Sequence, residues 1–406
     1  MAISKIAFAA LTITTIALPS FAVPTAIVEV PQINIQRFEK RTSSSWLPND
    51  TSYTVVDTFD SETLTSKSGT EPQLPASVMK LVTAVVALES FGHEHQLHTE
   101  VTLNGRDLVL VGGADPILTE SKLRTLAKKT SKLIDLNKSY KLKIDTSLFT
   151  SHTDPKGWLN SYVPGEVRPV TALSIYGSDS KSPAKEAAQY FVSALREQGV
   201  EVYFAGAGAS TGAALTTVKS LRMAKLVKEM LEYSNNNTAE TLFHLAGTKL
   251  GSGSWVTARK QSLGVLKSLN VNINNWKLVD GSGLSRSNRL TTKGLTELLL
   301  KILNPNHPDL NKIVELGLLP KGGKEGTLKL RFKEQRSKCA GELVEAKTGT
   351  LSDTVGLAGY VKTVDGGLAA FAVLANNLPS RSWQSPVRSR IDYMVTGLSG
   401  CDLAAR

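Results

Sequence analysis

Apolar and polar positions fall into distinct textures along the chain. In "TSYTVVDTFDSETLTSKS", β-branched and polar residues alternate on either side of Asp60-Ser61, which predicts a β-hairpin. The next segment, "LPASVMKLVTAVVALE" (residues 74–89), is apolar on every side, which predicts a helix enclosed by other elements. From residue 94 the texture changes. "LHTEVTLNGRDLVLVGG" reads as a second hairpin turning at Asn104-Gly105, followed by a basic helix over 120–134, a strand in "YKLKIDTSLF", a loop-rich stretch, a helix over 182–198 and the strand "VEVYFAG". The small residues of "GAGASTGAA" mark a boundary near 206–214. Helical periodicity then holds from 220 to about 303, and "ELVEAKTGTL", "VGLAGYVKTV" and "GLAAFAVLANN" read as strands, the last two joined at Asp365-Gly366, before a final helix over 386–397.

Strands at both ends of the chain around a helical middle predict an α/β (α+β) architecture. One antiparallel sheet is assembled from N- and C-terminal pieces and flanked by helices, with a large mixed α/β region inserted. The expected division is a signal peptide over 1–22, a main domain formed by 23–93 and 215–406, and an insertion over 94–214. The leader combines a basic start ("MAISK"), an apolar run ("IAFAALTITTIALP") and the small-x-small site Ser20-Phe21-Ala22. A retained anchor competes with this reading, but a membrane span needs about 20 apolar residues. A periplasmic or secreted chain is therefore expected.

With 406 residues, 41% hydrophobic and 20% charged, the chain can bury more than one core. Its net charge of +11 comes from scattered Lys and Arg, without a nucleic-acid-binding motif. On an exported protein such a surface meets anionic envelope polymers and supports at most weak membrane-surface association. The two cysteines, Cys339 and Cys401, can close a disulfide in an oxidising compartment; two buried free thiols are the alternative.

The candidate chemistry starts from Lys80, the single charge inside the apolar helix, with Ser77 three positions earlier and hence on the same face. Burial favours the neutral amine, and a neutral amine beside a hydroxyl is a general base beside a nucleophile. A snorkelling lysine on a core helix is the bland alternative. Ser-x-x-Lys alone is a weak signal: Ser178 with Lys181 and Ser182 with Lys185 also match, in a polar stretch that reads as solvated. Two further groups strengthen it. "YSNNNTAETL" puts Ser234 and Asn236 in a break between helices, and "EAKTGTL" puts Lys347, Thr348 and Gly349 on a strand that reads as an edge, the glycine allowing close backbone approach.

In order, Ser-x-x-Lys, Ser-x-Asn and Lys-Thr-Gly match the penicilloyl-serine acyl transferase signature. With "LVLVGGADPILT", "LVDGSGLSRSNRLT" and "GTLKLRF", the chain resembles the low-molecular-mass class C penicillin-binding proteins, exported serine D-Ala-D-Ala carboxypeptidases that also act as endopeptidases. That resemblance implies the serine DD-peptidase/β-lactamase-like fold, with extra domains between the first two motifs. It implies peptidoglycan stem peptides as substrate, β-lactam antibiotics as covalent inhibitors, and neither cofactor nor metal. It implies Ser77 as nucleophile, Lys80 as base and Ser234 as proton relay. Asn236 would bind the peptide amide, Lys347 and Thr348 the terminal carboxylate, and the N–H groups of Ser77 and Thr350 the oxyanion. Lys347 would also lower the pKa of Lys80. Asn235 departs from the Asp often found in the second motif.

The same residues allow four rival readings. Gly208-Ala209-Ser210-Thr211-Gly212 fits a nucleophile elbow, but the segment after it, "AALTTVKSLR", begins poorly as a helix. His93, His95 and His98 cluster without metal-site spacing. A serine β-lactamase shares the three motifs but usually lacks a large insertion. A catalytically silent peptidoglycan-binding protein would keep the helices and lose the triplet.

Overall fold

The computed structural model describes residues 33–402 apart from 44 and 151–154; the expected signal peptide lies outside the described residues. The chain opens with α1 (Ile35–Thr42), β1 (Thr51–Asp57), β2 (Thr63–Lys67) and α2 (Lys80–Phe91). A second block comes next: β3 (Gln96–Asn104), β4 (Asp107–Val111), α3 (Glu120–Ser131), β5 (Ser139–Asp145), α4 (Pro183–Arg196), β6 (Glu201–Ala207) and β7 (Ala214–Arg222). Then come α5 (Met223–Tyr233), α6 (Asn236–Gly247), α7 (Trp255–Ser268), α8 (Thr292–Leu303) and α9 (Pro308–Glu315). The chain closes with β8 (Val344–Leu351), β9 (Thr354–Lys362), β10 (Leu368–Ala375) and α10 (Gln384–Ser399).

The first sheet has the order β2-β1-β10-β9-β8 and is antiparallel throughout, joining the two ends of the chain as the pattern predicts. Its central strands are buried on both faces, so alternation along them separates two cores rather than core from solvent. On β10, Ala370, Ala372 and Leu374 face the cluster that contains α2 and α8, while Phe371 and Val373 face the cluster of α1 and α10. β1 is likewise buried on both faces. Thr54 is fully buried and satisfies its hydroxyl on Ser66 (3.1 Å) and Thr292 (2.9 Å). As its sequence demands, α2 is surrounded, with every residue from Lys80 to Leu88 buried.

The second sheet, β6-β5-β4-β3-β7, is mixed, and α3 and α4 cover one face of it. Gly105 and Arg106 make the tight turn between β3 and β4, one residue later than Asn104-Gly105. β7 runs past the boundary expected at 214, pairing with β3 as far as Arg222. The Gly/Ala/Ser run is a loop along the strand ends of this sheet rather than a linker. Ser210 donates through its N–H to Asp145 (2.7 Å) and through its hydroxyl to Thr102 (3.2 Å), so the candidate elbow is a strap across the sheet.

Cys339 and Cys401 are bridged, tying the end of α10 to the turn that leads into β8 across a sequence separation of 62. Closing a loop of that length restricts the unfolded chain by up to about 4 kcal/mol. Replacing both cysteines with serine is expected to lower the unfolding free energy by about 2–4 kcal/mol in denaturant titration. An unchanged midpoint and slope would contradict this.

Candidate active site

Residues 76–79 form a 3-10 turn that runs directly into α2. Side chains at i and i+3 eclipse in that geometry, which stacks Lys80 against Ser77 more closely than an α-helix would. The amine of Lys80 is fully buried and lies 2.9 Å from Ser77 Oγ, 2.8 Å from Asn236 Oδ1 and 2.8 Å from the Ser282 carbonyl. Three acceptors suit an ammonium. They suit the neutral amine as well, which donates to Asn236 and Ser282 and turns its lone pair to the Ser77 hydroxyl.

The third acceptor comes from the "DGSGLSR" loop, to which the sequence reading assigned no role. Asp280, fully buried, accepts from the N–H groups of Gly283 (2.9 Å) and Ser285 (2.6 Å), from Asn288 Nδ2 (2.6 Å) and from Trp158 Nε1 (2.7 Å). Glu240 on α6, also fully buried, accepts from the N–H groups of Gly281 (3.1 Å) and Ser282 (2.7 Å). Two carboxylates thus hold the loop from within and aim the Ser282 carbonyl at Lys80. The signal was in the sequence: acidic residues inside otherwise apolar or Gly-rich segments, as conspicuous as Lys80 itself. Gly283, at φ +88°, lets the loop pass this close, since a Cβ there would fall 1.9 Å from the Ala76 carbonyl oxygen. Ala76 and Ser234 themselves adopt the left-handed region (φ +47° and +58°). For non-glycine residues such backbone costs about 1–3 kcal/mol and is concentrated at functional sites.

Burial lowers the pKa of Lys80 to about 7, against the opposing charges of Glu240 and Asp280. Burial, with Asp280 nearby, holds Glu240 well above the ordinary carboxylate range. Lys347 was expected to depress Lys80, but burial does that. The repulsion between the amines is felt by Lys347, whose pKa is pushed well below 10.5 first by burial and then by Lys80, with no carboxylate to offset them.

Lys347, Thr348, Gly349 and Thr350 lie on β8, the edge strand. Ala346 N–H donates to the Pro320 carbonyl (3.2 Å), and the Val344 carbonyl accepts from Gly322 N–H (2.9 Å), so even-numbered residues of β8 turn their backbone groups outward. Alternation aims the N–H groups of Thr348 and Thr350 the same way, out from the edge, while the 75–78 turn packs against the strand at Gly349. Gly349 permits the contact, because a Cβ there would lie 2.7 Å from the Pro75 oxygen. Lys347 is fully enclosed and donates to the outward-facing Thr348 carbonyl (2.9 Å) and, more weakly, to the Thr348 hydroxyl (3.5 Å), so its amine lies at the edge beside Thr348. Ser77, Ser234, Thr348 and Thr350 line one cleft of about 530 Å³, whose other wall includes Arg331, Lys333 and Arg388.

Asn236, expected to meet substrate, has both amide atoms engaged by protein: Oδ1 accepts from Lys80, and Nδ2 donates to the Glu166 carbonyl (3.0 Å). Asn235 caps α6, accepting from Thr238 N–H (3.1 Å) and donating to Glu229 Oε1 (2.7 Å), a donation that an Asp could not make. The segment carrying Glu166 and Trp158 lies between β5 and α4, so the inserted region contributes directly to the site. The remaining candidates lie elsewhere. Ser178 bonds Glu186, Ser182 precedes α4, and His93 pairs with Asp309 (2.5 Å). No His/Cys/Asp/Glu group among the described residues is arranged to hold a metal.

A family model described as "D-Ala-D-Ala carboxypeptidase 3 (S13) family" matches residues 37–175 and 161–398. Carboxypeptidase DacB of Mycolicibacterium smegmatis is 29% identical over 82% of this chain and 77% of its own length. The D-alanyl-D-alanine carboxypeptidase of an Actinomadura species is 27% identical over 79% of this chain and 77% of its own. Among solved structures, penicillin binding protein 4 (dacB) of Haemophilus influenzae superposes with a TM-score of 0.75 at 20% identity, covering 90% of this chain and 98% of that one, a likeness of fold.

The close passage at Gly283 gives a direct test of the site's assembly. Gly283→Ala is expected to push the Ser282 carbonyl off Lys80 and to slow labelling of Ser77 by a fluorophosphonate probe by about 100-fold, the scale of a 1 Å misplacement. Its far-UV circular dichroism should stay that of the wild type. Labelling within twofold of wild type would contradict the role given to the loop.

Proposed function

The chain belongs to the D-Ala-D-Ala carboxypeptidase 3 (S13) family, and from that premise we propose that Ser77 is the nucleophile that cleaves D-Ala-D-Ala termini of peptidoglycan stem peptides through an acyl-enzyme. The observation that carries this reading is the fully buried Lys80 amine, 2.9 Å from Ser77 Oγ, with a pKa lowered to about 7. In its neutral form the amine takes the hydroxyl proton as Ser77 attacks the carbonyl of the penultimate D-Ala. The ammonium that results keeps three acceptors and lies near Asp280. Glu240 and Asp280 are positioning residues in this scheme: both aim a carbonyl, and Asp280 offsets part of the charge.

The N–H groups of Ser77 and Thr350 receive the oxyanion of the tetrahedral intermediate, each such donor being worth about 3 kcal/mol in comparable sites. Ser234, on the same cleft, passes the proton from Lys80 to the leaving D-Ala amine. The Thr348 hydroxyl meets the terminal carboxylate, while Lys347, bonded to the Thr348 carbonyl, fixes that residue. Asn236 holds Lys80. Water then attacks the acyl-enzyme by the same base. Cleavage of cross-links with a D-Ala carbonyl proceeds through the same intermediate, and a β-lactam would be trapped at Ser77, as its ring mimics the acyl donor. The H. influenzae protein has been solved with a β-lactam, which supports this last point. A periplasmic or secreted location fits a cell-wall substrate, and no helix among the described residues is long and apolar enough to cross a membrane.

Purified protein is expected to release D-Ala from a pentapeptide ending in D-Ala-D-Ala, and Ser77→Ala is expected to release none. Because the base acts when neutral and its pKa is lowered, kcat/KM should rise about tenfold per pH unit below about 7 and level off above. No D-Ala release by wild type would contradict the substrate. A rate that keeps climbing to pH 10 would contradict the depressed base. Fast hydrolysis of penicillin without D-Ala release would favour the β-lactamase reading.

A further inference from the structure

The cleft leaves open which cation meets the substrate's carboxylate. Lys80 and Lys347 are fully buried and committed to other partners. Arg331 is neutralised by Asp392, which it grips through Nε (2.9 Å) and Nη2 (2.6 Å). Lys333, the remaining cation on the cleft wall, is exposed, and no hydrogen bond among the described residues holds its amine in place. Arg388, on α10, differs from all four. Its Nη2 donates only to neutral oxygens, Thr350 Oγ1 at 3.1 Å and Gln384 Oε1 at 3.5 Å. Among the described residues, Nε and Nη1 have no hydrogen-bond partner and no carboxylate lies within ion-pair distance of the guanidinium.

Its position is fixed as well as unneutralised. The Arg388 carbonyl accepts from Arg331 Nη2 (3.3 Å), which pins this turn of α10, and the Cys339–Cys401 bridge anchors the helix's far end. Thr348 and Thr350, two apart on β8, present their hydroxyls on one face of the strand, the first bonded to Thr327 (2.9 Å) and the second to Arg388. The backbone N–H of that same Thr350 serves the oxyanion, so whatever Arg388 binds lies next to the scissile carbonyl, on the leaving-group side. In a D-Ala-D-Ala terminus the α-carboxylate stands one carbon beyond the scissile nitrogen. A guanidinium fork matches a carboxylate in shape and charge.

Resting on the reading of Ser77 as an acyl-transfer nucleophile, we propose that Arg388, with Thr350, forms the cationic subsite for the free α-carboxylate of the leaving residue. The enzyme thereby selects scissile bonds that are followed by a carboxylate. Burial and the Arg331 guanidinium both lower the pKa of Arg388, Asp392 offsetting them only in part, so an arriving anion relieves an unfavourable charge. Arg388 is a specificity-determining residue in this scheme. It takes no part in moving protons.

The test compares an N-acylated tripeptide ending in D-Ala-D-Ala with its C-terminal amide. Wild type is expected to favour the acid by about 100-fold or more in kcat/KM, since buried donors left without a partner reject the analogue. In Arg388→Gln the acid should lose most of that advantage while the amide stays within about twofold, so that the ratio collapses. Arg388→Lys should restore part of the ratio, and it gives an independent reading if the glutamine variant does not fold. Equal losses on both peptides, or an unchanged ratio in both variants, would overturn the subsite alone. A wild type that cleaves acid and amide equally would overturn it too. A wild type that cleaves neither would overturn the acyl-transfer reading with it.

Discussion

An amine kept out of water is the constraint around which the structure is arranged. Moving the Lys80 pKa from 10.5 to about 7 separates its two protonation states by on the order of 5 kcal/mol, at about 1.4 kcal/mol per pH unit. A cost of that size would be removed by selecting an apolar residue unless the neutral amine were useful. The 3-10 turn, the Ser282 carbonyl and Asn236 deliver that amine to the serine hydroxyl in one geometry. Asp280 lies near enough to steady the ammonium once it forms, yet burial outweighs it in the resting amine.

The two sheets contribute differently. The antiparallel sheet brings its edge strand β8 hard against the turn that carries Ser77, and the absent side chain of Gly349 sets the distance. The mixed sheet stands apart, but the segment between β5 and α4 returns from it to the site. Trp158 fastens Asp280, Glu166 holds the amide of Asn236, and Arg168 N–H donates to Asn237 (2.9 Å). The segment between β5 and α4 therefore buttresses Lys80 through the groups that surround it. Displacing the insertion would disturb Lys80 through two of its three acceptors.

Much of this was legible in the sequence, for physical reasons. A helix apolar all round has only one way to be stable, and a lysine inside it demands an explanation. The edge position of Lys-Thr-Gly followed from the strand order that the terminal strands impose. What escaped was what local pattern does not encode. β7 was hidden because "ALTTVKSLR" precedes a helix without a break and its partner β3 lies far away in sequence. The roles of Asp280 and Glu240 depend on backbone N–H groups converging from a loop, which no spacing rule reports. The resemblance implied substrate contacts for Asn236 and Lys347, and it did not report the partners that packing gives them: Lys80 and the Glu166 carbonyl for Asn236, and the Thr348 carbonyl for Lys347. Arg388 looked like any helix arginine until the fold set it beside Thr350.

The central claim is the protonation state of one nitrogen, which can be read without turnover. Heteronuclear NMR of protein carrying labelled lysine, with Lys80→Met to assign the resonance, gives its titration directly. The expected midpoint for the Lys80 amine is near 7. A midpoint near that of an ordinary lysine, about 10.4, would contradict the mechanism at its root.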